Sequence, residues 1–358
     1  MMAFGPTLLL LLVGEIGARA HYFLQSHDFR YWVAPFGGEI RAPIVYVQKR
    51  SQTTTRLDPC SGRMITFTDN GIGRGPAPSQ SKLEGRFRII AVGGSSTYGV
   101  NNPDEMTWPA LLEEALRHRT PVEVLNAGQV GKQIEDFIHY YSSRWISYRP
   151  DMVIYYEGWN DTPLPLPSQV DAWIRQFHDY SWLGRWADTL YYRSMLYTLL
   201  LEKTQFTLVA RDEKIVPKVR QFQARLEQFI RMIRDSGVRP VLVIQVMEPL
   251  AEPPIQDFQR MLRDIDLGDS QALRALILKT AEGSKASFDQ VVMIRVCQTQ
   301  VMSEVIRRTG EALGVQVIDP RPSFIHYRGS LPLFCDPVHL TDLGNRLLAE
   351  EIGEQLSL

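Results

Sequence analysis

Cysteine is scarce in this sequence, which has only Cys60, Cys297 and Cys335 among its 358 residues. No two of them have Cys-x-x-Cys spacing, so a structural zinc site is not expected. The chain is also too large, and with 44% hydrophobic residues too apolar, to be a small fold held together by disulfides. Two interpretations stay open: a Cys60–Cys335 disulfide in an exported protein, or three free buried thiols.

An excess of charge of one sign is also missing. The sequence has 39 Lys and Arg against 40 Asp and Glu, which gives a formal net charge of −1. Proteins that bind nucleic acid neutralise phosphates with clustered basic residues. No basic stripe stands out here, so we expect no nucleic-acid partner.

A long hydrophobic run is absent as well. Residues 1–14 carry no charge and include the apolar run Leu8–Val13, but Glu15 interrupts it. A membrane-spanning helix needs about 20 apolar residues, and a signal peptide starts with basic residues. Ala18-Arg19-Ala20 nevertheless has the small-x-small pattern of a cleavage site. Three interpretations remain: a signal peptide, a membrane anchor that begins outside this sequence, or a buried helix. We expect residues 1–20 to be a signal or anchor, and the protein to be exported or membrane-anchored.

From residue 86 onwards, short apolar runs alternate with amphipathic segments, as buried strands alternate with surface helices. The predicted strands are Phe87–Val92, Val122–Leu125, Asp151–Tyr156, Arg239–Met247 and Val315–Asp319. The predicted helices are Trp108–Leu116, Gln133–Tyr148, Lys218–Asp235, one within Phe288–Thr309, and Thr341–Gln355 with Thr341 as its N-cap. This alternation predicts an α/β fold with a mostly parallel five-stranded sheet covered by helices on both faces.

Three segments depart from the alternation. Residues 21–85 are rich in turn signals and predict an irregular N-terminal extension that packs on the main domain, residues 86–358. Insertions are predicted around residues 162–210 and 250–290. The first insertion is rich in Trp and Tyr, so it either caps the site and lines a substrate groove or simply packs on the core.

Four blocks of polar residues and glycine follow predicted strands, directly or after a short segment. They are Gly93–Gly99 (GGSSTYG), Asn126–Gly131 (NAGQVG), Glu157–Asp161 (EGWND) and Asp336–His339 (DPVH). In a parallel sheet, sites lie at the carboxyl ends of the strands. We therefore expect the four blocks to meet at one edge of the sheet.

The residue types in these blocks are those of acyl transfer. A serine in a glycine-flanked turn presents its hydroxyl, a histidine takes the serine proton, and a carboxylate orients the imidazole. Glycine N–H and asparagine side-chain N–H groups can hold an oxyanion. Each piece alone has a plainer explanation as a turn, a cap or a surface residue. Their combination in this order favours a catalytic site.

The blocks resemble those of the SGNH (GDSL-like) hydrolase family, over the region from residue 86 to the C-terminus. The Gly-Gly-Ser-x-x-x-Gly form of the first block matches Gly93–Gly99, Gly-x-Asn-Asp matches Gly158–Asp161, and Asp-x-x-His matches Asp336–His339. The resemblance implies a flavodoxin-like three-layer α/β/α sandwich. It also implies these site residues: Ser95 as nucleophile, His339 as base, Asp336 as acid, and Ser95, Gly131 and Asn160 as oxyanion donors.

The match has departures. Gly94 stands where the other form of the first block has Asp, so we expect the site to lack one nearby carboxylate. Ser96 and Gly128 are rivals to Ser95 and Gly131, and the block spacing favours Ser95 and Gly131. Residues 1–85 resemble more loosely the leader of bacterial members that begin with one membrane helix, which implies membrane association in the bacterial envelope.

The function predicted from these features is a serine esterase that works through an acyl-enzyme. Its substrate would be a small-molecule, glycan or lipid ester, such as an O-acetyl ester, and no metal or organic cofactor is expected. One alternative is an O-acyltransferase that uses the same residues. Another is a non-catalytic module that binds envelope carbohydrate, although every catalytic position holds a competent residue. The sequence carries no signal for the oligomeric state.

Overall fold

The structure is a computed structural model. It describes residues 10–20, 52–58, 60–163, 196, 215–284 and 290–357. The chain divides into two compact units. The first comprises residues 1–46 and 164–212, and the second comprises residues 47–163 and 213–358.

The first unit is described by a helix over residues 10–20 and by Leu196 alone. The Leu196 N–H donates a hydrogen bond of 3.0 Å to the Glu15 carboxylate. No helix in the described ranges is both long enough and apolar enough to cross a membrane. The Trp/Tyr-rich insertion lies almost entirely outside the described residues, and the signal or anchor at residues 1–20 stays a prediction.

The second unit is built on a five-stranded sheet whose paired strands are all parallel. After a two-stranded hairpin, β1 (Gln52–Leu57) and β2 (Met64–Asp69), the sheet strands are β3 (Phe87–Gly93), β4 (Val122–Asn126), β5 (Met152–Tyr156), β6 (Arg239–Val243) and β7 (Gln316–Ile318). Their order is β4-β3-β5-β6-β7. The strand order therefore reverses at β3, and in open α/β sheets such a switch point is where ligands bind.

Helices cover both faces of this sheet. They are α1 (Ser95–Tyr98), α2 (Trp108–Leu116), α3 (Ile134–Ser143), α4 (Ile215–Asp235), α5 (Pro253–Asp264), α6 (Ser270–Gly283), α7 (Gln290–Leu313), α8 (Arg321–His326) and α9 (Asp342–Gln355). Helices α2 and α9 pack together on one side, and α3, α4 and α7 pack side by side. Because both faces are covered, Ile89, Ile90, Ala91 and Val92 of β3 are completely buried. The predicted α/β/α architecture is confirmed.

Several predicted boundaries need correction. The helix predicted over Gln133–Tyr148 is divided at Arg144, where the backbone leaves the helical region and a short 3-10 turn follows. The fourth strand ends at Val243 rather than Met247. The polar stretch around 250–290 contains α5 and α6. Thr341 is confirmed as the N-cap of α9, since its hydroxyl accepts the Gly344 N–H at 3.1 Å.

The prediction that residues 21–85 are irregular is wrong for the hairpin β1–β2. In β2, Ile65 and Phe67 are buried while Met64 and Thr66 are exposed, which is the alternation of a strand with one covered face. Because this alternating pattern is short and strong turn signals surround it, the sequence did not predict the hairpin. Residues 21–51 lie outside the described ranges.

A disulfide joins Cys60, at the hairpin turn, to Cys335, which directly precedes Asp336. The bond closes a sequence separation of 275 residues. Cys297 is a free, buried thiol, and burial raises its pKa to about 12. The pairing left open by the sequence is therefore present, and it ties the N-terminal extension to one of the four polar blocks.

Candidate active site

The first block forms a sharp turn at the carboxyl end of β3. The chain turns at Gly93 and Gly94, and α1 begins at Ser95. A Cβ at Gly93 would collide with the Thr97 side chain and the Tyr156 carbonyl, so the turn requires glycine there. Ser95 is partly exposed while the next residue is buried. The turn therefore leaves Ser95 partly accessible.

Three side chains form a continuous hydrogen-bonded row at this turn. His339 Nε2 lies 2.8 Å from Ser95 Oγ, and His339 Nδ1 lies 2.6 Å from Asp336 Oδ2. Asp336 Oδ1 accepts the N–H groups of Val338 and His339 at 3.0 and 2.9 Å. The structure thus brings together the predicted nucleophile, base and acid, with each atom facing the partner its role requires.

The environment of Asp336 favours its charged form. Burial alone would raise the pKa of this carboxyl, but the charge and hydrogen bond of His339 oppose burial, and so do the two backbone N–H groups. The net result is a lowered pKa. Asp336 is therefore an anion at neutral pH, as a carboxylate that orients an imidazole must be.

Ser96 is occupied elsewhere. Its hydroxyl donates a hydrogen bond of 3.0 Å to the Val338 carbonyl, and its relative exposure is 5%. Gln245 Nε2 lies 3.5 Å from the same hydroxyl. The contact pattern therefore favours Ser95 over Ser96 as the reactive serine, in agreement with the block spacing.

The second block packs directly on the nucleophile turn. Asn126 Nδ2 donates to the Thr97 carbonyl at 2.9 Å, and Asn126 Oδ1 accepts the Gly128 N–H at 2.9 Å. A Cβ at Gly128 would collide with the backbone of Tyr98. Gly128 is thus a close-packing glycine whose N–H is already bonded. Gly131 has a positive φ of 71° in the loop that follows, which suits glycine, and it stays the predicted donor.

Asn160 lies between the second block and the nucleophile turn. Its side-chain Nδ2 donates to the Lys132 carbonyl at 3.0 Å, next to Gly131 in the chain. The same nitrogen is 2.5 Å from where a Cβ at Gly94 would stand. Asn160 is 2% exposed. Its amide is therefore adjacent to the turn that carries Ser95, where a side-chain oxyanion donor is expected.

Gly94 carries no carboxylate, as expected from the first block, but a carboxylate from another part of the chain lies beside it. Glu157, at the end of β5, is 1% exposed and its Oε2 is the nearest atom to the place of a Gly94 Cβ. Burial raises the pKa of Glu157, against backbone hydrogen bonds from Asn160, Gly158 and Gly94 and the charge of Arg295. The carboxylate missing from position 94 is replaced by one from the neighbouring strand. The sequence placed Glu157 in a block expected at the same edge of the sheet, but it did not show that the carboxylate lies against Gly94, because the contact joins the ends of two separate strands.

A second contributor that the sequence did not reveal is Arg74, in the N-terminal extension. Its guanidinium is 2% exposed and donates to the carbonyls of Tyr98, Gly99 and Asn102. Its Nε also pairs with Asp104 at 2.7 Å. Arg74 therefore satisfies backbone carbonyls at the end of α1. The extension is part of the support of the nucleophile turn.

Within the described ranges, no group of three or more His, Cys, Asp or Glu residues is arranged to hold a metal ion. The expectation that the chemistry needs no metal or organic cofactor stays a prediction. What the site does hold is a serine hydroxyl, an imidazole, a carboxylate and a side-chain amide around one partly open turn.

The family model of the GDSL-like Lipase/Acylhydrolase family matches residues 91–347 of the chain. This range begins within β3 and includes Ser95, Gly131, Asn160, Asp336 and His339. No curated protein matches the sequence.

Solved structures of esterases and lipases are similar to the chain at low identity. The acetyl xylan esterase AlAXEase is 16% identical, with a TM-score of 0.44 over 76% of this chain and 100% of that one. A lipase/acylhydrolase from Enterococcus faecalis is 16% identical, with a TM-score of 0.41 over 76% and 97%. A GDSL-like lipase from Bacteroides thetaiotaomicron VPI-5482 is 11% identical, with a TM-score of 0.39 over 78% and 91%.

Proposed function

We propose that this chain, which belongs to the GDSL-like Lipase/Acylhydrolase family and is an ester-hydrolysing enzyme, uses Ser95 as nucleophile, His339 as general base and Asp336 as orienting acid. One observation carries the proposal. The row Asp336–His339–Ser95 has hydrogen-bond distances of 2.6 and 2.8 Å, with the two imidazole nitrogens facing opposite partners. This is the geometry that proton transfer from a serine hydroxyl requires.

In the proposed reaction, Ser95 Oγ attacks the ester carbonyl carbon while His339 Nε2 takes the hydroxyl proton. Asp336 stays ionised and stabilises the imidazolium through Nδ1. The tetrahedral intermediate collapses as His339 returns the proton to the leaving alkoxide oxygen, which leaves an acyl-enzyme on Ser95. Water then attacks the acyl carbon with His339 again as base. The second tetrahedral intermediate collapses as its bond to Ser95 Oγ breaks and His339 returns the proton to Oγ, and the carboxylic acid is released.

The negative oxygen of each tetrahedral intermediate needs donors that are in place before the reaction. We assign these to the backbone N–H groups of Ser95 and Gly131 and to the side-chain amide of Asn160. The support is positional: Asn160 Nδ2 lies beside Gly94 and is bonded to the Lys132 carbonyl, so one amide contacts both backbone segments. Fixed donors of this kind usually contribute more to acyl transfer than any other single effect.

We propose an ester of a carbohydrate or lipid, such as an O-acetyl ester, as the substrate. We also propose that the protein works outside the cytoplasm. The Cys60–Cys335 disulfide supports this second proposal, since disulfides persist in oxidising compartments and are rare in the cytosol. Fractionation of cells that express the full chain tests it, and recovery of all the protein in the cytosol with free Cys60 and Cys335 would contradict it.

Hydrolysis itself is tested with p-nitrophenyl acetate on the wild type and on Ser95→Ala. We expect turnover by the wild type and loss of turnover in the variant. The same assay in the presence of an alcohol acceptor separates release of acid from transfer to the acceptor. A folded wild type without turnover of any short acyl ester would favour the non-catalytic binding module.

A further inference from the structure

Glu157 is a buried ionisable group that the mechanism above does not use. We propose that its carboxylate is a positioning residue, which holds the Gly94–Ser95 turn and the Asn160 turn together so that their oxyanion donors converge. The inference rests on the proposed function, because it concerns the oxyanion hole assigned there. Glu157 contacts none of the reacting atoms of the proposed mechanism and acts only by holding the two turns in position.

The contacts of Glu157 join two separate parts of the chain. Its Oε1 accepts the N–H groups of Gly158 and Asn160 at 3.0 and 2.9 Å. Its Oε2 lies against Gly94, directly before Ser95, and the Gly94 N–H favours the charged form of the carboxyl by lowering its pKa. One side chain therefore bridges the turn that follows β3 and the turn that follows β5. These are the turns that carry two of the three proposed oxyanion donors.

The bridge depends on glycine at position 94. A Cβ there would overlap Glu157 Oε2, and it would stand 2.5 Å from Asn160 Nδ2 and 3.1 Å from Glu157 Cδ. The Glu157 carboxylate and the Asn160 amide thus lie together against the bare backbone of the residue before the nucleophile. Because the space is filled by these two groups, a shift of either one displaces the other.

The two N–H groups bonded to the carboxylate and the Gly94 N–H beside it are all donors, and this makes its charge specific. A carboxylate has only acceptor oxygens, so it can face every one of them. A glutamine of the same shape has a single acceptor oxygen. If that oxygen faces Gly158 and Asn160, its NH2 group must face the Gly94 N–H, donor against donor. Glu157→Gln should therefore separate the two turns although it changes the side-chain volume very little.

The buried charge has a counterpart on α7. Arg295 is 6% exposed, lies 4.2 Å over the Trp159 ring and donates to the Trp159 carbonyl at 3.1 Å. Burial lowers the pKa of Arg295 to about 9, and the charge of Glu157 opposes that shift. The guanidinium is thus anchored on Trp159, the turn residue between Gly158 and Asn160. Its positive charge favours the Glu157 anion and opposes the effect of burial.

The test compares the steady-state kinetics of wild type, Glu157→Gln and a control, Glu123→Gln, using p-nitrophenyl acetate. Glu123 pairs with the buried Arg88 at 2.8 Å near the amino ends of β3 and β4, away from the site. We expect Glu157→Gln to lower kcat by about 10- to 100-fold with KM changed less than about threefold. Glu123→Gln should keep kcat within about twofold, and thermal unfolding of each variant gives its folded fraction.

A double-mutant cycle with Asn160→Ala separates positioning from general damage. If Glu157 acts through Asn160 and the Gly94 turn, Glu157→Gln should cost less than about fivefold in kcat when Asn160 is already alanine. Equal losses in both backgrounds, or a wild-type kcat for folded Glu157→Gln, would overturn the inference. If Glu157→Gln does not fold, Glu157→Asp is used instead, because it moves the carboxylate back by one methylene. We expect the same losses of kcat for Glu157→Asp as for Glu157→Gln.

Failure of this inference can be told apart from failure of the proposed function. Ser95→Ala is measured in the same series. An inactive Ser95→Ala with an unaffected Glu157→Gln rejects only the role of Glu157. Full activity in Ser95→Ala rejects the assignment of the nucleophile, whatever the Glu157 variants do.

Discussion

The two halves of the candidate site are held in place by different means. The Ser95 half is a turn at the end of a central strand, with the Asn126 amide bonded to the Thr97 carbonyl and the Arg74 guanidinium bonded to the Gly99 carbonyl. The His339 half is a loop that belongs to no sheet strand. It closes on itself through the Cys335 N–H and the His339 carbonyl at 2.8 Å.

Besides the hydrogen bond between His339 and Ser95, other contacts link the loop half to the remainder of the second unit. The disulfide joins Cys335 to the hairpin, the Glu248 N–H donates to the Pro337 carbonyl at 2.9 Å, and Ser96 Oγ donates to the Val338 carbonyl. The sheet therefore fixes Ser95, whereas the position of His339 depends on a few contacts that can be removed singly. Substitution of a reacting group should lower kcat strongly in either half. Removal of a contact that only holds a half in place should lower kcat more in the loop half than in the Ser95 half.

The largest effect is expected for the nucleophile itself. Ser95→Ala should lower kcat by about 10,000-fold or more, because the acyl-enzyme cannot form. Ser96→Ala is the matched control one residue away. It removes the 3.0 Å link between the two halves but no reacting atom, so we expect a loss below about tenfold. The rate of ester hydrolysis at saturating substrate gives kcat for both variants. Equal losses of kcat in the two variants would contradict the assignment of Ser95 as nucleophile.

The next effect is expected for the orienting acid. Asp336→Asn should lower kcat by about 10,000-fold, because an amide in place of Oδ2 can hold His339 in the wrong tautomer. The measurement is the full pH profile of kcat for the wild type and for Asp336→Asn. A loss below about tenfold would show that Asp336 does not orient His339.

The same variant gives a prediction on stability. The lowered pKa of Asp336 means that its charge stabilises the folded protein above the ordinary value of 3.8, and that this contribution is lost as the pH falls through the lowered folded-state pKa. The difference in unfolding free energy between wild type and Asp336→Asn should therefore be constant near neutral pH and shrink in acid. Urea titrations from pH 7 down to pH 3 test this, and a difference that grows in acid would contradict it.

A smaller effect is expected in the nucleophile half when one oxyanion donor is removed. Asn160→Ala should lower kcat by about 100- to 1,000-fold, as the loss of one such donor does in other acyl transferring enzymes. Stopped assays at matched substrate saturation are sufficient. A loss below about threefold would remove Asn160 from the oxyanion hole and leave it as a turn residue bonded to the Lys132 carbonyl.

The smallest effect on activity should come from removal of the disulfide. This change tests how far the His339 half of the site depends on its covalent tie. Replacing Cys60 and Cys335 by Ser should destabilise the protein by about 2–5 kcal/mol and lower kcat by about two- to tenfold, because the loop of His339 loses its covalent tie. Cys297→Ser is the control at a buried free thiol. Unchanged activity in the folded double variant would mean that the hydrogen bonds alone position the loop.

The parts of the fold that depend on local patterns were predicted well. The strand from Phe87 and the helix Trp108–Leu116 follow from hydrophobic periodicity, which acts within a few residues. The ends of β6 and α3 were misplaced. At these points the chain is redirected by tertiary contacts, such as the Val246 N–H bonded to the Tyr156 hydroxyl at 3.3 Å.

The candidate site shows the same division. The blocks around Ser95, Asn160 and His339 are continuous in sequence, so their spacing alone predicted them. Glu157 beside Gly94, Arg74 under α1 and the pairing of Cys60 with Cys335 join residues that are distant along the chain. The sequence left the disulfide as one of two interpretations and placed Glu157 only in a block at the same edge of the sheet, so the three-dimensional arrangement was needed to show the contacts themselves.

Labelling with a fluorophosphonate probe, followed by peptide mapping, shows which serine is activated. We expect a covalent adduct on Ser95 in the wild type and in Ser96→Ala, and none in Ser95→Ala, because Ser95 Oγ faces the His339 imidazole while Ser96 Oγ is bonded to the Val338 carbonyl. An adduct on Ser96, or a folded wild type that the probe does not label, would contradict the account.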